Sequence, residues 1–150
     1  MRVSDTIAAG GLILRPSWST FEETVEGLVD SLVHNGQIPP PMRDTAVRAV
    51  CEREKLASTI IAEIGVSIPH ARLNGVRGVV AAIAASPTAI FHAMTGVPIT
   101  VLALVLSGPE LAGEHLNFLS ALSIRQQSEA VRSGLGRATD TETALQLLRA

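Results

Sequence analysis

One cysteine, Cys51, in a chain of 150 residues leaves no partner for an intrachain disulfide and too few thiolates for a zinc site built on sulfur. No charge of one sign dominates. Twelve Lys plus Arg stand against 14 Asp plus Glu, a formal net charge of −2, which excludes the basic footprint of a nucleic-acid binder or of a protein held on an anionic membrane. Long apolar runs are missing too. The longest, around residues 79–85 and 97–106, fall short of the roughly 18 residues a membrane span needs, and the N-terminus lacks the basic and apolar regions of a signal peptide. There is no Gly-x-Ser-x-Gly elbow, which removes a serine-hydrolase reading, and no Gly-Lys-Ser or Gly-Lys-Thr, which removes a Walker phosphate loop. The four histidines, His34, His70, His92 and His115, never take the His-x₃-His spacing of a ligand pair. No metal and no cofactor is therefore expected, and a soluble cytoplasmic chain is.

What is present is a folding composition, 47% hydrophobic and 17% charged, too apolar for disorder. One domain over residues 1–150 is expected, long enough to bury about 70% of its unfolded surface. Residues 11–15 form an apolar run before Pro16, the look of a short strand. Ser19-Thr20-Phe21-Glu22 has capping-box spacing, and Phe21, Val25, Leu28, Val29 and Leu32 then recur on one helical face until Asn35-Gly36 stops it. Pro39-Pro40-Pro41 leads into a second helix from Met42 to about Glu54. Residues 79–84 and 99–106 are continuous apolar runs rich in β-branched residues, as strands buried on both faces are. Ser86-Pro87 and the tetrapeptide Thr95-Gly96-Val97-Pro98 supply turns. A helix is expected from Leu111, carrying His115, Leu119 and Leu122. Gly134 and Gly136 punctuate the end of another, and the box Thr139-Asp140-Thr141-Glu142 opens a last one with Leu145 and Leu148 inward. The sum is an α/β layered domain.

The most informative stretch is Ile68-Pro69-His70. Proline fixes its own φ and holds the preceding residue extended, so a strand from Val66 runs rigidly up to His70. A histidine just past the end of such a strand sits at a sheet edge, where α/β folds place ligands. The spacing alone favours the plainer reading, a surface or hydrogen-bonded loop histidine. His115, one turn before Leu119, points inward near the surface, as a core-edge histidine also would. His34 and His92 fall in turn-like segments and decorate the surface. Glu52-Arg53-Glu54 reads as a solvated helix terminus, and Cys51 as a small core residue rather than a nucleophile.

Taken in order, Arg53-Glu54, Ser58-Thr59, Val66-Ser67-Ile68-Pro69-His70-Ala71, Ile90-Phe91, Gly96-Val97-Pro98 and Glu114-His115-Leu116 resemble a known family. It is the type-2 enzyme IIA domain (fructose, mannitol and nitrogen-regulatory) of the phosphoenolpyruvate-dependent sugar phosphotransferase system. The resemblance implies a mixed β-sheet with helices on both faces. It implies that His70 accepts a phosphoryl group from an HPr-like phosphocarrier and passes it to a IIB component, both in transient encounters. It places His115 and Arg53 beside that histidine, with Ser58 and Thr59 as further candidates for the phosphate pocket. It implies no cofactor and no metal, leaves homodimerisation open and does not name the sugar. The alternative is a regulatory module of the same fold that controls a partner by contact.

Those residue types suit the chemistry. A neutral imidazole, with an ordinary pKa near about 6.5, is a nucleophile at pH 7. Phosphoryl transfer asks a protein mainly for in-line positioning and for donors to the equatorial oxygens, which a second histidine and an arginine supply. A helix N-terminus beside His115 would add about 0.3–2 kcal/mol of anion stabilisation. One departure stands out. Where the family carries a Gly-x-Gly-x-Gly turn before the histidine, this chain has Ile60-Ile61-Ala62-Glu63-Ile64-Gly65, retaining only Gly65.

Overall fold

The computed structural model of the chain describes residues 7–93, 96–109 and 129–148. Its spine is strand β8 (Val101–Ser107), seven consecutive buried residues. Strand β5 (Val79–Ala85) runs antiparallel to β8, from Val79 opposite Ser107 to Ala85 opposite Val101, and β1 (Ile7–Leu14) lies parallel beyond β5. On the other flank β3 (Val66–Ser67) and β4 (His70–Arg72) run parallel to β8, while β2 (Ile60–Ile61) pairs antiparallel with β3. The sheet is mixed, in the order β1-β5-β8-β3-β2, with β4 on β8 beside β3.

Because successive side chains alternate across a strand, the unbroken apolar run of β8 feeds two cores. Leu102, Leu104 and Leu106 pack with Val25, Leu28, Val29 and Leu32 of helix α1 (Phe21–His34) and with Ala46 and Val50 of α2 (Arg43–Leu56). Val101, Ala103 and Val105 face the opposite way, onto Val131 and Leu135 of α3 (Glu129–Arg137) and Ala144 of α4 (Thr141–Leu148). Helices thus cover both faces, as expected. No helix among the described residues is long and apolar enough to cross a membrane.

Several boundaries differ from the sequence reading. The box at α1 is one residue later: Thr20 is the cap, extended at φ −131°, and its hydroxyl accepts from Glu23 N–H at 3.0 Å. Glu23 Oε1 in turn accepts from Ser19 N–H at 3.1 Å. The same shift occurs at α4, where Asp140 accepts from Thr143 N–H at 2.7 Å. Leu145 and Leu148 lie outside the described side chains, and the helix expected from Leu111 lies outside the described residues. Helix α2 runs two residues past Glu54. Gly134 and Gly136 are inside α3 rather than beyond it. At Gly136 a Cβ would stand 3.0 Å from Ser86 O, so the glycine serves close helix–turn packing.

The apolar run at 99–106 is two strands. Val97-Pro98 is not a turn but part of β7 (Val97–Ile99), which forms a separate hairpin with β6 (Phe91–Ala93). Thr100 divides the two, its N–H donating to Gly65 O at 2.9 Å and its carbonyl accepting from Ser86 N–H at 2.9 Å. Phe91 of β6 meets Phe21 of α1 edge to face, with centroids 5.9 Å apart, which fixes the hairpin against the start of α1.

Candidate functional site

The segment from Val66 to Arg72 is one strand in register and two in hydrogen bonding. Val66, Ser67, His70, Ala71 and Arg72 oppose Val101, Leu102, Val105, Leu106 and Ser107, so the pairing never slips across Ile68-Pro69. The break arises because Pro69 has no N–H to give. Its carbonyl still accepts from Val105 N–H at 3.1 Å. His70 therefore does not lie past the strand's end, as the sequence suggested, but inside it, because Pro69 interrupts the ladder without ending the extended backbone. The sheet-edge position holds sideways: among the described strands β4 pairs with β8 alone.

Alternation sets the direction of the ring. Ile68 and Val105 belong to the core under α3 and α4, and Ala71 to the core under α1 and α2. His70, opposite Val105 and two residues from Ile68, is thus on the α3–α4 face, and it is half-buried. Its Nδ1 is 3.1 Å from Ile68 O. A carbonyl oxygen can only accept, so Nδ1 carries the hydrogen and the lone pair of the neutral ring sits on Nε2.

Helix α2 packs against β4, and Arg53 sits exposed in its last turn. Its neighbour Glu54 is not a solvated charge. The half-buried carboxylate accepts from Thr59 N–H at 2.9 Å, from Thr59 Oγ1 at 2.8 Å and from Ser58 Oγ at 3.3 Å. Ser58 Oγ accepts from Ile60 N–H at 3.2 Å. Both hydroxyls proposed for a phosphate pocket are therefore turned onto Glu54, where they shape the turn between α2 and β2. The sequence reading missed Glu54. Its signal was a carboxylate at a helix end with Ser-Thr four and five residues on.

The remaining candidates separate. His115 lies outside the described residues. His34 and His92 are exposed as expected, but in the last turn of α1 and in β6 rather than in turns. Cys51 is half-buried against the α1–α2 core, and burial pushes its thiol pKa up, which keeps it protonated. The substituted loop forms β2, one 3₁₀ turn at Ala62–Ile64, and Gly65 at φ 66°. A cleft of about 370 Å³ opens between the start of α1, this loop and β6, lined by Glu22, Glu54, Ser58, Ile60, Phe91 and His92.

Comparison with known proteins gives this arrangement its family. The profile described as phosphoenolpyruvate-dependent sugar phosphotransferase system, EIIA 2, matches residues 8–150. The chain belongs to that family. It is 37% identical over 132 residues to a protein of Haloferax volcanii named PTS system fructose-specific EIIA component, covering 87% of this chain and 83% of that one. The fold matches the crystal structure of the nitrogen regulatory protein IIA-Ntr from Neisseria meningitidis with a TM-score of 0.81 at 23% identity, over 97% of this chain and 98% of that one. It also matches the IIA mannitol enzyme of Escherichia coli, solved in complex with phosphorylated IIB mannitol, with a TM-score of 0.74 at 21% identity, over 94% and 95% of the two chains. The type-2 EIIA domain is thus seen here as a mixed sheet with its Ile-Pro-His step set in an edge strand.

Proposed function

We propose that this EIIA domain carries a phosphoryl group on His70, received from an HPr-like phosphocarrier and delivered to a IIB component. The observation that carries the reading is the 3.1 Å contact between His70 Nδ1 and Ile68 O, which leaves the lone pair on Nε2. In the transfer a bond forms from Nε2 to phosphorus while the bond from phosphorus to the donor's nitrogen breaks. The proton on Nδ1 stays in place, and the ring gains positive charge. Ile68 O then holds a charge-assisted hydrogen bond, so its stabilisation grows as the adduct forms. Arg53 and His115 are proposed as donors to the phosphoryl oxygens; α2 covers the sheet face opposite the His70 ring, so the exposed Arg53 guanidinium would have to reach it around the edge of β4. Ser58 and Thr59 are proposed to act on the pocket through their bonds to Glu54.

The fructose-specific relative supports a place in sugar uptake, and the complex of the mannitol enzyme with its IIB partner supports delivery to a IIB component. Incubation with phosphoenolpyruvate, enzyme I and HPr, followed by intact mass at neutral pH, tests the reading. One phosphoryl adduct is expected, acid-labile and alkali-stable, and absent from His70→Ala. Phosphorylation of His70→Ala by HPr would move the acceptor elsewhere. No adduct on the wild type would leave a regulatory module that works by contact.

A further inference from the structure

The pairing of β2 with β3 contains a hydrogen bond that has been diverted. Ile61 opposes Val66 and Ile60 opposes Ser67, so the next rung sets Thr59 opposite Ile68. That rung is half made: Ile68 N–H donates to Thr59 O at 3.4 Å. In an antiparallel ladder a hydrogen-bonded pair exchanges two such bonds, and the return bond would run from Thr59 N–H to Ile68 O. Thr59 N–H instead donates to Glu54 Oε2 at 2.9 Å. The carbonyl left over is the one that takes His70 Nδ1.

We propose that Glu54 is a positioning residue that selects the reactive nitrogen of His70, by drawing the Thr59 amide away from the Ile68 carbonyl. The proposal rests on His70 as the phosphoryl acceptor and adds what sets its tautomer. A carboxylate in the last turn of a helix gains nothing from the helix dipole, which favours cations there, and Arg53 and Lys55 flank it in that pattern. Glu54 is placed instead by the donors it takes from Ser58 and Thr59. Without it, Thr59 N–H is free to make the return bond to Ile68 O, which then divides its two lone pairs between the amide and the imidazole and holds Nδ1–H more weakly. A ring held less firmly in this tautomer places more of its proton on Nε2, which removes the nucleophile from that atom.

Nitrogen-15 NMR of the unphosphorylated protein above the imidazole titration reads the tautomer directly. The wild type should hold the Nδ1–H form and show a through-hydrogen-bond coupling from the Thr59 amide to the Glu54 carboxylate. Glu54→Met keeps the stem and the helix preference but has no acceptor. It should shift the ratio toward the Nε2–H form by about three- to tenfold, the equilibrium equivalent of one contested hydrogen bond. Glu54→Gln, whose amide oxygen still accepts from Thr59, should stay within about twofold of the wild type. A wild type in the Nε2–H form, or without the coupling to Glu54, would overturn the proposal whatever the variants do. An unchanged ratio in a folded Glu54→Met would overturn it too, as would a shift in Glu54→Gln as large as that in Glu54→Met. Because the measurement uses protein without phosphate, it stands or falls separately from phosphoryl transfer.

Discussion

Gly65 is pressed against the carbonyl of Pro98: a Cβ built on it would lie 2.7 Å from that oxygen. The contact joins the loop ahead of the histidine strand to the β6–β7 hairpin. It is reinforced from Gly65 O, which accepts from Thr100 N–H at 2.9 Å and from Val101 N–H at 3.4 Å. Gly65, the one glycine this chain keeps in the loop, has a left-handed backbone, φ 66°, and main chain as its nearest neighbour.

Gly65→Ala should therefore be costly twice, through the left-handed conformation and through a clash that no side-chain rotation relieves. The conformational part alone is worth about 1–2 kcal/mol. Thermal unfolding should show at least that loss, and an unchanged melting temperature would contradict the packing described for the loop.

Glu23 gives the chain an acid-sensitive helix start. Ser19 N–H first, then the hydroxyls of Ser19 and Thr20, hold its carboxyl below the usual carboxylate range. A folded-state pKa below the unfolded one means that the contribution is full above the unfolded value and lost as pH falls through the folded value. Glu23→Gln should lower the melting temperature at pH 7, and the gap to the wild type should close as pH falls below the ordinary carboxylate range. A gap that widened toward acid would reverse the sign of this account.

How much of this was legible in the sequence follows from the length of each signal. The β8 run and the repeat Val25, Leu28, Val29, Leu32 extend over enough residues to fix strand, helix and face. Ser19-Thr20 and Glu22-Glu23 offer two capping registers with the same chemistry, and only backbone geometry separates them. Val97-Pro98 looked like a turn because proline is rare in strands, but an edge hairpin of three-residue strands tolerates it. Strands β2 and β3 have two residues each, too few for any period, so the diverted rung between Thr59 and Ile68 could not be foreseen. Pro69 marked His70 as a candidate, but the same proline made the strand look as if it ended there, whereas the pairing runs on through Arg72. The tautomer of His70 was not legible, because the Ile68 carbonyl that takes Nδ1 is set in place by the pairing of two-residue strands.

The position of the phosphoryl group on the His70 ring tests the central claim most directly. Phosphorus and nitrogen-15 NMR of the phosphorylated chain should show attachment at Nε2, with Nδ1 still protonated against the Ile68 carbonyl. Attachment at Nδ1 would require that hydrogen bond to break before reaction and would contradict the account.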